Sequence, residues 1–151
     1  MRLTIVILFC CPIFCAHPGY AQCKKVPDNV KPNLGNEYIE LTGIKVPQLV
    51  GKVLLPDGTP ENEAVVEVYK YPKEKNFPSM NVPYTQKRIA ACLTGEDGRF
   101  LFTKIKPGKY LLRAGVWRKT GFDPINVILI VDPKTKIKGD NPLDLFLHIS
   151  L

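Results

Sequence analysis

From residue 49 onward, short apolar runs alternate with clusters of turn-forming residues. The runs lie at 49–55, 64–70, 88–93, 99–103, 110–116, 125–131 and 143–149, and Pro56-Asp57-Gly58-Thr59-Pro60 punctuates the first gap. Strands of this length with such punctuation predict an all-β fold, an antiparallel Greek-key-type sandwich of about seven strands. Because alternate side chains on a strand point to opposite faces, Ala64, Val66 and Val68 are expected in the core, as are Phe100 and Phe102. Phe100 and Phe102 are expected to meet Tyr110 and Leu112 across a hairpin. In the last run Leu143, Leu145, Leu147, Ile149 and Leu151 share one face, and Asp144, Phe146, His148 and Ser150 share a wet one. The run 125–131 is apolar almost without alternation, which predicts a strand covered on both sides or at least partly roofed by a loop.

The N-terminus follows another pattern. Arg2 precedes an apolar run from Leu3 that reaches Ala16 without an acidic residue, the profile of a secretory signal peptide. Pro12, His17, Pro18 and Gly19 interrupt it before the roughly twenty apolar residues that a spanning helix needs, so no transmembrane helix is expected in the mature chain. Gly19-Tyr20-Ala21 sets small residues where a signal peptidase inspects them. Residues 1–21 are thus read as a signal peptide, 22–36 as an extended N-terminal segment, and 37–151 as one β domain, with a secreted or periplasmic, cell-envelope location.

Composition adds two points. Fourteen prolines and eleven glycines are scattered through the 151 residues, which suits turns between short strands. The net charge of +7 fits anionic partners such as envelope glycans or lipid headgroups. Nucleic acid is not expected as a partner of an exported chain. Once the leader and its Cys10, Cys11 and Cys15 are removed, Cys23 and Cys92 remain. Two readings stay open for them: a disulfide in an oxidising compartment, or a buried Cys92 on an apolar strand beside a loose Cys23.

The order of the turns and strands carries a resemblance. Gly51-Lys52-Val53-Leu54-Leu55-Pro56-Asp57-Gly58-Thr59-Pro60, Ala64-Val65-Val66-Glu67-Val68, Thr94-Gly95-Glu96-Asp97-Gly98-Arg99-Phe100 and Ile105-Lys106-Pro107-Gly108-Lys109-Tyr110 look like the carboxypeptidase regulatory-like domain over residues 49–131. The resemblance implies a small prealbumin/transthyretin-like sandwich, an accessory role beside catalytic domains, and a loose association with carbohydrate binding. Collagen-adhesin repeats share the strand pattern but place an acidic residue where this chain has Arg113, which argues against a Lys–Asn cross-link.

Candidate chemistry is sparse. His148 is the one histidine outside the leader, too few for the iron shell of same-fold dioxygenases, and no H-E-x-x-H, paired-cysteine zinc spacing or G-x-S-x-G occurs. No cofactor and no metal are expected; Glu96, Asp97 and Asp140 are too thin a set for calcium. The reading is a non-enzymatic exported accessory or binding module for a glycan or anionic envelope component. The alternative is a structural domain that docks a partner protein. Two features can carry binding. One is Trp117 with Arg118, where an aromatic face beside cations suits a sugar ring, or where the Trp caps the core. The other is the long insertion 71–87 with Tyr84, which is either a recognition loop or packing on the domain edge.

Overall fold

The computed structural model describes residues 24–27, 38–71, 87–117, 121–136 and 143–149. Among these, ten strands form: β1 (Tyr38–Val46), β2 (Leu49–Leu54), β3 (Val65–Lys70), β4 (Arg88–Leu93), β5 (Arg99–Phe102), β6 (Gly108–Gly115), β7 (Phe122–Asp123), β8 (Ile125–Val131), β9 (Asp144–Phe146) and β10 (His148–Ile149). They make a five-stranded sheet in the order β1-β8-β6-β3-β4, a three-stranded sheet in the order β5-β2-β9, and a two-stranded pair, β10-β7.

The described residues are all-β, but their pairing is not purely antiparallel as the strand rhythm predicts. β1 runs parallel to β8, and β2 parallel to β9. Both parallel pairs join strands far apart in the chain, as they must, because a parallel pair cannot be closed by a tight turn.

Two turns are built as their residues dictate. Gly58 and Gly98 have φ of 84° and 70°, a region that side chains with a Cβ enter at a cost. Asp57 Oδ1 accepts from Thr59 N–H at 2.9 Å, and Asp97 Oδ1 accepts from Arg99 N–H at 3.1 Å. The bonds from Thr59 hold the fully exposed Asp57 carboxyl below the usual aspartate range.

The main core lies where the two larger sheets meet. Val66, Val68, Leu112, Val127 and Leu129 from the five-stranded sheet cluster with Leu49, Val53, Phe100 and Leu145 from the three-stranded one. Within the three-stranded sheet Gly51 permits the approach of the segment leading into β9, since a side chain there would run into the Leu143 carbonyl, which accepts from Lys52 N–H at 2.9 Å.

Three expectations are corrected. β5 and β6 are not a hairpin: β5 pairs with β2, whereas β6 pairs with β3 and β8. The link 103–107 passes from one sheet to the other. Accordingly Phe100 is fully buried, while Phe102 is partly buried at the edge. The run 143–149 is not one strand: after Leu147, whose N–H donates to Leu54 O at 2.9 Å, the chain leaves β2 and pairs with β7. Leu143, Leu145 and Leu147 are buried, but Ile149 is 61% exposed. β1 and β7 have no counterpart among the seven predicted runs. The two-sided cover of β8 is present, with Asn126 and Ile128 buried on one face and Val127 and Leu129 on the other.

Candidate functional site

The antiparallel register Val65 with Gly115 sets the end of β6 beside the start of β3. Residues just beyond β6 therefore come up against residues just before β3. There Trp117 and Val116 border a cavity of about 290 Å3 with Leu55, Pro60, Glu61 and Glu63. Asn62 and Thr59 complete its polar lining.

The loop that forms one wall is pinned from below by Thr94, which is fully buried. Its hydroxyl donates to Glu61 O at 2.6 Å and accepts from Ala64 N–H at 2.9 Å. Glu61 N–H donates to Val53 O at 2.9 Å, and Glu63 N–H donates to Thr94 O at 3.3 Å. Glu63 has a φ of 57°, unusual for a residue with a side chain. The opposite wall is Trp117, half-buried and packed against the small cluster of Val26, Val65 and Leu93. The Trp thus caps one end of the structure and faces a cavity.

The described neighbours of Trp117 across the cavity include polar residues. Two acidic residues, Glu61 and Glu63, with Asn62 and Thr59, are the polar residues that line the cavity. Arg118 and Tyr84 lie outside the described residues, as does nearly all of the insertion 71–87. Cys92 is buried on β4, and Cys23 lies outside the described residues. His148 is exposed at the β7–β10 pair. Among the described residues no group of three or more His, Cys, Asp or Glu gathers to hold a metal, and no helix is long and apolar enough to cross a membrane.

The sheet register assembles a second polar constellation. Glu67, Arg113 and Asn126 stand on one rung across β3, β6 and β8, on the face of the five-stranded sheet that points away from the main core. All three are buried, at 2%, 1% and 0% exposure. Glu67 Oε2 accepts from Tyr69 O–H at 2.9 Å, and Oε1 accepts from Arg88 Nη1 at 2.8 Å. Burial, then the charge of Glu67 and its hydrogen bond, raise the Tyr69 phenol above its ordinary range, with Arg113 and Arg88 opposing. The missed signal was the alternation itself: Glu67 and Arg113 each sit inside an otherwise apolar strand, at positions of the same parity in register.

No family model matches this chain, and no curated protein matches it.

Proposed function

We propose that this chain is a non-enzymatic exported binding module of the carboxypeptidase regulatory-like kind, a β-sandwich that takes a glycan of the cell envelope in the cavity beside Trp117. The observation that carries this reading is the facing of Trp117 with Glu61, Asn62 and Glu63 across about 290 Å3. An indole face offers stacking area to the C–H side of a sugar ring. Carboxylates and an amide offer several acceptor sites to the ring's hydroxyls, since each carboxylate can accept more than one bond. That lining favours a neutral sugar over an anionic one. The volume suits one or two sugar units at the small end of ligand sites.

The family reading is supported by the ordered turns at Gly58 and Gly98, both with positive φ. Export is supported by the leader-like sequence of residues 1–21. A Cys23–Cys92 disulfide belongs to the same reading. Lys24, the residue after Cys23, bridges Leu93, the residue after Cys92, with Leu93 N–H donating to Lys24 O at 2.9 Å. Cys92 is not a free thiol.

A glycan array probed with the purified protein tests the proposal. Binding to a defined neutral glycan, reduced at least about tenfold in a Trp117→Ala variant that still folds, is the expected result. An empty array, or turnover of a glycoside, ester or peptide by the purified protein, would overturn it.

A further inference from the structure

β4 is the edge strand of the five-stranded sheet, and β5 is an edge strand of the three-stranded one. An edge presents a row of backbone N–H and C=O groups that can pair with another strand. On the far side of β4 one bridge is present among the described residues, from Lys24 to Leu93. Leu93 N–H points outward to Lys24 O, and by the two-residue period Ala91 presents its N–H and C=O the same way. Continuing the register would place Val26 opposite Ala91. Instead the two diverge around a cavity of about 220 Å3, with Lys25 and Val26 on one side and Ile89 to Ala91 on the other.

A second cavity, of about 340 Å3, adjoins the same residues from the other side. It runs between Ile89 and Ala90 on β4, Leu101 and Phe102 on β5, and Lys104 and Ile105 beyond. Ile89 is the extra residue of a β-bulge: Val68 pairs with Ala90, and Tyr69 with Arg88. The bulge turns Ile89 outward, and it is 46% exposed. One short stretch of edge backbone is therefore flanked by two recesses. This is the form taken by sites of strand addition, where main-chain bonds give affinity and recesses for alternate side chains give specificity.

We propose that the 89–91 edge of β4 is a docking site for an extended, acidic segment of a partner protein, added as a further strand. Apolar side chains at alternate positions would enter the two recesses beside Ile89. The rim supplies the charge: Lys25, Lys87 and Lys104 are exposed around the stretch, on a chain of net charge +7. A second copy of the chain would bring its own cations to the same rim, so the occupant is a different, acidic chain. The site shares no lining residue with the Trp117 cavity, though Trp117 and Ala91 pack on the same cluster of Val26, Val65 and Leu93.

Panning the purified chain against a random octapeptide phage library tests this. Enriched sequences should alternate apolar residues and carry aspartate or glutamate, and their binding should weaken as salt rises. In labelled protein, the amide signals of Ile89 and Ala91 should shift on adding the best peptide. Ala91→Pro removes the outward N–H at a position where an edge strand tolerates proline, and it should weaken binding about tenfold or more. Should that variant not fold, Lys25→Glu with Lys104→Glu leaves the backbone intact and should weaken binding about tenfold at low salt. Asn62→Ala, an exposed change in the Trp117 cavity away from the Val26, Val65 and Leu93 cluster, should leave peptide binding unchanged, which separates this site from the glycan cavity. A library without enrichment, enriched peptides that are basic or lack alternation, retained binding in the folded variants, or self-association at the β4 edge would each overturn the proposal.

Discussion

The central strands of the five-stranded sheet, β3, β6 and β8, bury both of their faces, and they do so with different chemistry. Toward the main core they turn Val66, Val68, Leu112, Ala114, Val127 and Leu129, each with no exposed surface. Away from that core the same strands turn Glu67, Tyr69, Arg113 and Asn126, all buried and polar, alongside Val65 and Leu111. An apolar face is secured by area and packing, tolerant of direction. A buried polar face depends on partners, because an ionised group removed from water must be met by an opposite charge or a hydrogen bond. Glu67 meets that need through Tyr69 and Arg88, with Arg113 opposite it on β6. Asn126, next on the rung, has neither its side-chain oxygen nor its nitrogen hydrogen-bonded. One face therefore stabilises through volume and the other through specific pairing.

Substitutions can separate these two modes, beginning with the largest effect. Leu112→Ala empties a fully buried site in the main core and should cost about 2–5 kcal/mol in denaturant unfolding. A cost below about 1 kcal/mol would mean that the inward face is not the packed one. Glu67→Ala should cost about 3 kcal/mol, because it removes a buried carboxylate that stands opposite Arg113 and strips Tyr69 and Arg88 of their acceptor. Replacing Glu67 and Arg113 together by leucine and methionine should recover much of that loss, which would not happen if Glu67 contributed by packing alone.

The smallest effect belongs to Tyr69→Phe, which removes one hydrogen bond and should cost roughly 1 kcal/mol near neutral pH. It also tests the raised phenol. With the folded value above the ordinary one of about 10, the unfolded chain loses its proton first. The contribution of this group is then complete below about pH 10 and declines as the pH rises toward the folded value. The wild-type chain should lose stability more steeply than Tyr69→Phe above pH 10; parallel curves would show that this phenol is not perturbed.

Local sequence accounts for most of the strands. β4 and β8 fall at the residues that pattern and punctuation assign, and β2, β3, β5 and β6 end within two residues of them. Turns explain this accuracy, because Asp57-Gly58 and Asp97-Gly98 set positive backbone angles from their own chemistry. The same alternation, read along 143–149, misleads. Leucines continue at every second position, but the chain changes partners after Leu147, and periodicity carries no information about which strand is adjacent.

Trp117 was legible as a binding candidate because an aromatic residue beyond a strand end is conspicuous. Its companions were not. Glu61 and Glu63 reach it through the pairing of Val65 with Gly115, fifty residues apart in the chain. The rung of Glu67, Arg113 and Asn126 has the same origin.

By itself, then, the sequence determined the all-β class, the positions of the strong strands, the two aspartate–glycine turns and the cationic balance. Each depends on neighbours in the chain: the intrinsic preference of a backbone angle, the period of side chains, the sum of charges. Tertiary structure alone decided that β1 lies parallel to β8, that β5 and β6 belong to different sheets, and that the charged face of a sheet is buried. It also decided that the β4 edge stands between two recesses. These depend on which distant segments come together, and that choice is made by the fit of whole surfaces, which no short stretch of residues encodes.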